Sequence, residues 1–257
     1  MNMRRMMNKI RSAAAVMAAL LCSVVGYAAG EELSADRILE KVEKNISADN
    51  RIVEASVVVH GKRSTRTFVT LSYTVGDTRS FTEYLQPARE KGTKMLKLED
   101  DMWIYSPSTD RTIMISGHML RQSVMGSDMS YEDLMEDRKI REIYHAELLG
   151  REMIGERECY KLKLTAKVSD IAYPGSTIWV DTERFVPLRQ EYFAKSGQHL
   201  KTLQLFDYRK IDGYWTPTRT NYKDEMKDGK GTDMIINKIQ YNEPIPEAYF
   251  TKGALKK

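Results

Sequence analysis

Cysteine is nearly missing from this chain. Its 257 residues hold two, Cys22 and Cys159, and the first lies within an apolar leader, so no internal disulfide framework can hold the fold together. Histidine is as scarce: His60, His118, His145 and His199 are all there are, none at metal-ligand spacing from another or from Cys159. No H-E-x-x-H, paired C-x-x-C or EF-hand loop occurs. Gly126-Ser127 lacks the second glycine of a G-x-S-x-G elbow, and Gly61-Lys62 lacks the first glycine of a phosphate-binding loop. No catalytic residue, metal site or cofactor is therefore assigned, and the chain reads as a binding protein rather than an enzyme. A triad assembled in space stays open as an alternative.

Excess charge is also missing. The formal net charge is +4, and Arg4, Arg5, Lys9 and Arg11, with no acid among them, account for it. The rest of the chain is near neutral, which gives no basic face of the kind nucleic acid requires. No tract of Gly, Ser or Pro marks an interdomain linker, so a single domain is expected after the leader.

The leader has the order of a secretory signal peptide: the basic start, an apolar run from Ala13 to Val25, then small residues around Gly26, Ala28 and Ala29. Residues 1–29 are read as that signal and 30–257 as the exported domain. The run is shorter than the ~20 apolar residues of a spanning helix, which argues against an uncleaved anchor. Leu21 stands where a lipoprotein signal wants a small residue, which argues against lipidation of Cys22.

Helical periodicity is confined to two places. Ser34 is a candidate N-cap for a helix with Ile38, Leu39, Val42 and Ile46 on one face and Glu40, Lys41, Glu43 and Lys44 on the other. Further on, Asp128, Glu132, Asp133, Glu136 and Asp137 lack the spacing and central glycine of a calcium loop. Ser130 with Asp133 reads instead as a capping box on a short helix.

Elsewhere the period is two. Val53, Ala55, Val57 and Val59 alternate with Glu54, Ser56 and His60, and Tyr160, Leu162 and Leu164 alternate with Cys159, Lys161 and Lys163. A hairpin pairs Met102–Tyr105 with Arg111–Ile115 around Pro107. Turn signals recur every 8–12 residues. About eleven strands are expected, with no βαβ rhythm, in one antiparallel sheet that must curl or split. Ten methionines follow the leader, and seven of them lie between Met95 and Met135. They either fill an irregular core or form an adaptable apolar surface.

The residues Trp103-x-Tyr105-x-Pro107-x3-Arg111, followed by Met125-Gly126-Ser127-Asp128-Met129-Ser130-Tyr131-Glu132-Asp133-Leu134, resemble the outer-membrane lipoprotein-sorting (LolA-like) family, in order and over the whole mature chain. Val124 and Met129 depart from the pattern, standing where an aromatic is more usual. The resemblance implies an incomplete β-barrel, its concave face covered by the N-terminal and mid-chain helices. It implies a periplasmic carrier that shields lipoprotein acyl chains or other lipid on the way to the outer membrane; a monomer is expected. An inner-membrane transporter and an outer-membrane acceptor would be its partners. A lipid-sensing or exporter-partner role is the alternative.

On that reading the cavity wall would include Val57, Val59, Val69, Leu71 and Tyr73 from the first strands. Leu96, Leu98, Trp103 and Tyr105 would continue it through the central hairpin, with Leu162, Leu164, Ile178 and Leu188 in the second half. Met119 and Met125 would line the rim. The loop Gly117–Met129 and the helix carrying Ile38, Leu39, Val42 and Ile46 would act as gates.

Overall fold

Ser34 caps the first helix, α1 (Ala35–Ile46): its Oγ accepts from the Arg37 N–H at 3.3 Å. The structure, a computed structural model, describes residues 33–46 and 48–257. The leader with Cys22, and the side chain of Ile46, lie outside the described residues. On α1, Ile38, Leu39 and Val42 have no exposed surface, as the 3.6-residue period requires of a helix with one apolar stripe.

Thirteen antiparallel strands follow in one sheet. They are β1 (Asn50–His60), β2 (Thr65–Val75), β3 (Arg79–Gln86), β4 (Lys94–Leu98), β5 (Asp101–Ser106) and β6 (Arg111–Ile115), then β7 (Tyr144–Ile154), β8 (Arg157–Ala166), β9 (Gly175–Asp181), β10 (Pro187–Phe193), β11 (His199–Ile211), β12 (Tyr214–Asp224) and β13 (Gly231–Tyr241). The spatial order is β6-β5-β4-β3-β2-β1-β13-β12-β11-β10-β9-β8-β7, so β6 and β7 are free edges and the barrel is not closed. Thirteen strands stand where about eleven are expected, and the short ones are joined by tight reversals. Between β4 and β5, for example, the chain reverses at Glu99-Asp100, with Glu99 at φ 52 and no Gly or Pro to mark it.

The register sorts side chains onto two faces. Val57 stands opposite both Phe68 on β2 and Met234 on β13. Ser56, on the other face, hydrogen-bonds Asn237 at 3.1 Å, and His60 and Asn221 both contact Asp233. One face of these central strands is thus apolar and the other wet. The connection from β6 to β7 crosses the apolar face and carries two short helices, α2 (Tyr131–Met135) and α3 (Ile140–Ile143). From this connection Val124 and Tyr131 join one cluster with Val59, Phe68, Tyr84, Met95, Met102 and Ile115, which belong to six successive strands. Asp128 reaches β13 and Asp133 reaches β11. A single segment can tie strands so far apart on one face because the sheet curls around it; this face is the inner one.

α1 lies against β12, β7 and α3, and so spans the inner face of β8–β11. Asn45 donates to the Arg184 carbonyl at 2.7 Å, and Arg141 at the start of α3 grips Glu43. Helix and connection together cover the inner face.

Candidate functional site

Three rows of the inner face define the site. Leu205, Thr220, Met234, Val57 and Phe68 are successive cross-strand partners from β11 to β2. One row over come Ile178, Gln190, Leu203, Tyr222, Thr232 and Val59. The third row, Ser176, Tyr192, Lys201 and Asp224, is polar. Leu203, Leu205, Met234, Val57, Tyr192 and Tyr222 keep partial exposure, whereas Ile178, Leu162 and Leu164 toward β8 are fully buried. The middle of the inner face is therefore only partly covered: Thr220, Thr232 and Val59 of the same rows are buried, and Leu205, Met234 and Val57 beside them are not fully so.

Two tyrosines stand in these rows. Burial pushes the Tyr222 hydroxyl up to about 12 and raises that of Tyr192 further, with a smaller contribution to each from the Asp133 charge. Neither hydroxyl has a hydrogen-bond partner among the described residues.

The cover is pinned at named points. Ser130 caps α2, accepting from the Asp133 N–H at 3.2 Å, while Asp133 Oδ2 accepts from the Ser130 N–H at 2.7 Å: the expected capping box is present. The same Asp133 carboxylate accepts from Lys201 Nζ and, at 2.7 Å, from the Tyr173 hydroxyl. Lys201 lies under the Tyr173 ring as well, 5.4 Å from its centroid. Asp128 accepts from the Thr232 hydroxyl at 2.7 Å and from the Asp224 N–H at 3.0 Å. Lys97, buried on β4, donates to the Met135 carbonyl at 3.1 Å and to Asp137 at 2.9 Å. Met125 and Gly126 take consecutive positive φ values, 51 and 71, and Arg66 donates to the Gly126 carbonyl at 3.3 Å. Glycine suits position 126 because a φ of 71 is one that L side chains rarely adopt.

The residues expected to line one cavity fall on two faces. Val57, Val59, Leu162, Leu164 and Ile178 are on the inner face, and Met119 and Met125 pack against its cluster. Leu188 sits at the register shift of β10, where alternation does not fix its face. Val69, Leu71, Tyr73, Leu96, Leu98, Trp103 and Tyr105 belong to the outer face. The reason is the period of two: Val57 pairs with Phe68, so Val69 and its i+2 neighbours point away, and the pairing through β3 and β4 carries that parity to Trp103. The C-terminal segment covers this side. Tyr249 stacks on Tyr73 with centroids 4.2 Å apart, Phe250, Ala254 and Leu255 pack against Phe81, Leu96 and Trp103, and Lys252 lies 4.1 Å over the Trp103 ring. Trp103 is a core residue, not a cavity wall.

Leu203, Leu205, Met234, Tyr192, Tyr222 and Lys201 went unnoticed in the sequence. Their alternation in the second half was visible, but nothing local says which strands stay uncovered. A separate cavity of about 680 Å³ opens on the outer face, where Lys163, Thr165, Thr177 and Phe193 meet the loop bearing Ile171. Among the described residues no group of three or more His, Cys, Asp or Glu could hold a metal ion. No helix among them is long and apolar enough to cross a membrane.

A half-open sheet with its apolar inner face covered by a helix and a capped connection is the fold of the LolA-like proteins. A DUF1329 family protein from Desulfovibrio piger superposes with a TM-score of 0.78 at 26% identity, covering 85% of this chain and 96% of that one. A domain assigned as an outer-membrane lipoprotein-sorting protein from Vibrio parahaemolyticus gives 0.77 at 22%, covering 87% and 98%. A LolA superfamily protein from Nitrosomonas europaea gives 0.71 at 25%, covering 86% and 99%. The family model that matches, over residues 76–257, carries the description "uncharacterized protein", and the chain belongs to that family. No curated protein matches.

Proposed function

We propose that this protein is a non-catalytic periplasmic carrier that shields the acyl chains of a lipid or lipoprotein during transfer toward the outer membrane, after export by a leader spanning residues 1–29. The observation that carries this reading is that Leu205, Met234 and Val57 stay partly exposed on the inner face of an unclosed sheet. An acyl chain of about fifteen methylenes loses on the order of 12 kcal/mol on entering water, at ~0.8 kcal/mol each. An apolar hollow offsets that loss, and a cover fastened by ion pairs rather than by covalent links lets the cargo leave. The sorting domain and LolA superfamily protein that share the fold support the same direction.

The cavity wall on this reading is the inner set, with Val59, Leu162, Leu164 and Ile178 exposed to ligand once α1 and the connection lift. Inner-membrane and outer-membrane partners would meet the protein at its free edges. Complete burial of Ile38, Leu39 and Val42 favours a second reading, a lipid-sensing or exporter-partner protein whose hollow is filled by its own side chains. Titration of the purified protein with a fluorescent acyl chain, together with native mass spectrometry of protein taken from the periplasm, separates the two. Saturable uptake and a bound lipid mass are expected; neither being seen would leave the second reading standing.

A further inference from the structure

We propose that the inner site selects a single-chain amphiphile with an anionic head. Lys201 would bind the head and the Leu205–Met234–Val57 row the tail, and Asp133 of the covering connection would occupy the head position while the cover is closed. The inference rests on the carrier reading and names the ligand class that the same site would take.

Lys201 is a cation set into the polar row beside an apolar wall, its side chain 7% exposed. A buried ammonium is tolerated only while it is paired. Its partner in the closed form is Asp133, which belongs to α2, part of the cover that must lift before an acyl chain can enter. The other acid in its row, Asp224, is already engaged: its Oδ1 accepts from the Met226 N–H at 3.0 Å, and its carboxylate lies 3.5 Å from Lys227. Glu225 accepts from the Thr202 hydroxyl at 2.6 Å. Opening the cover would strand Lys201 unless the cargo itself supplies an anion.

A second observation points the same way. The hydroxyls of Tyr192, beside Lys201 in the polar row, and of Tyr222, beside Leu203, have no partner among the described residues. Both are partly exposed donors on the inner face, one in the row of Lys201 and one in the next row. Two residues along β11 from Lys201 begin the apolar side chains Leu203 and Leu205. The order cation, phenol, hydrocarbon, read along β11 from row to row, is that of an anionic amphiphile with its head at Lys201.

The test is a comparison of palmitate, hexadecyl phosphate and hexadecanol, which share a tail and differ in the head. Each is titrated by displacement of a fluorescent acyl probe from the purified protein. The anionic ligands are expected to bind about tenfold more tightly than the alcohol, on the order of one charge-assisted hydrogen bond. K201M is expected to erase that preference while still binding hexadecanol, and K201R to retain it. D133N is expected to bind palmitate more tightly than wild type, because it withdraws the competing carboxylate. The two anions tell a free fatty acid from a phosphate-headed lipid by which one wins.

Equal affinity for all three ligands overturns the inference and leaves the carrier reading intact, as does a preference that survives in K201M. Weaker palmitate binding by D133N overturns the role given to Asp133. If wild type binds none of the three, the carrier reading falls and this inference with it. Should K201M not fold, K201Q and the wild-type comparison decide the same question.

Discussion

Asp133, in the first turn of a five-residue helix, holds Lys201 of β11 across the inner face, and both side chains are largely buried, at 13% and 7% exposure. The carboxylate also serves the Ser130 N–H and the Tyr173 hydroxyl. One residue therefore caps α2, neutralises a buried cation and fastens the cover to the far strands. Asp133→Ala should cost about 3–5 kcal/mol of stability, the usual cost of breaking a buried pair by removing one partner. Ser130→Ala, which removes only half of the capping box, should cost about 1 kcal/mol. Urea unfolding of the two variants measures both. A loss below about 1 kcal/mol for Asp133→Ala would show that the cover is not held through this pair.

The assignment of faces predicts which side chains matter to uptake. Met234→Lys puts a charge into the inner row and should weaken acyl-chain binding by about tenfold or more. Tyr105→Ala, on the outer face beneath the C-terminal segment, should leave it within about twofold. Titration with a fluorescent fatty acid reads both, and a larger effect from Tyr105 would reverse the assignment of faces.

Leu39 has no exposed surface on α1. Leu39→Ala should destabilise by about 2–5 kcal/mol through lost burial and the space left behind. It should also loosen the helix from the inner face. Binding of a dye that fluoresces on apolar surfaces should rise under native conditions; an unchanged signal would mean that α1 does not shield the hollow.

Asp181 is fully buried and bonded by Arg157 at 2.6 and 2.9 Å and by the N–H groups of Glu183 and Arg184, both at 2.9 Å. Burial alone would raise its carboxyl, but those donors outweigh it and hold the group below the ordinary carboxylate value. A folded-state value lower than the unfolded one stabilises fully above the unfolded value, about 3.9. The contribution is lost as pH falls through the lower folded value. Stability of the wild type should therefore fall on acidification below about pH 4. The Asp181→Asn variant should show a shallower fall, measured by thermal unfolding across that range. Parallel curves would remove Asp181 from the account of acid sensitivity.

Cys159 is buried on β8, and burial, with the neighbouring Asp181 charge, pushes its thiol up to about 11. At pH 8 very little thiolate exists and none of it is accessible. A chromogenic disulfide reagent should react slowly with the native protein and completely once urea is added. Fast reaction in the native state would contradict the packing of this strand.

Much of the fold was legible because it is local. Ser34, Ile38, Leu39 and Val42 announce a capped amphipathic helix by spacing alone, and Ser130 with Asp133 announces a capping box. The Pro107 hairpin is written in its turn residues. Glu99-Asp100, a tight reversal without glycine or proline, is not. The order of strand segments and the motif around Gly126-Ser127-Asp128 also carried the likeness to the lipoprotein-sorting fold.

By itself the sequence determined that this is a chain of alternating strands with two short helical covers and no local catalytic or metal-binding signature, since periodicity, capping and motif spacing act over a few residues. Only the tertiary structure decided which apolar side chains look inward. Val57 and Val69 alternate equally well in the sequence, but the pairing of Val57 with Phe68 sends them to opposite faces. Lys201 likewise reads as one more lysine in a strand until the curl of the sheet brings Asp133 over it. Register and curvature arise from contacts between segments far apart in the chain, and no local pattern encodes them.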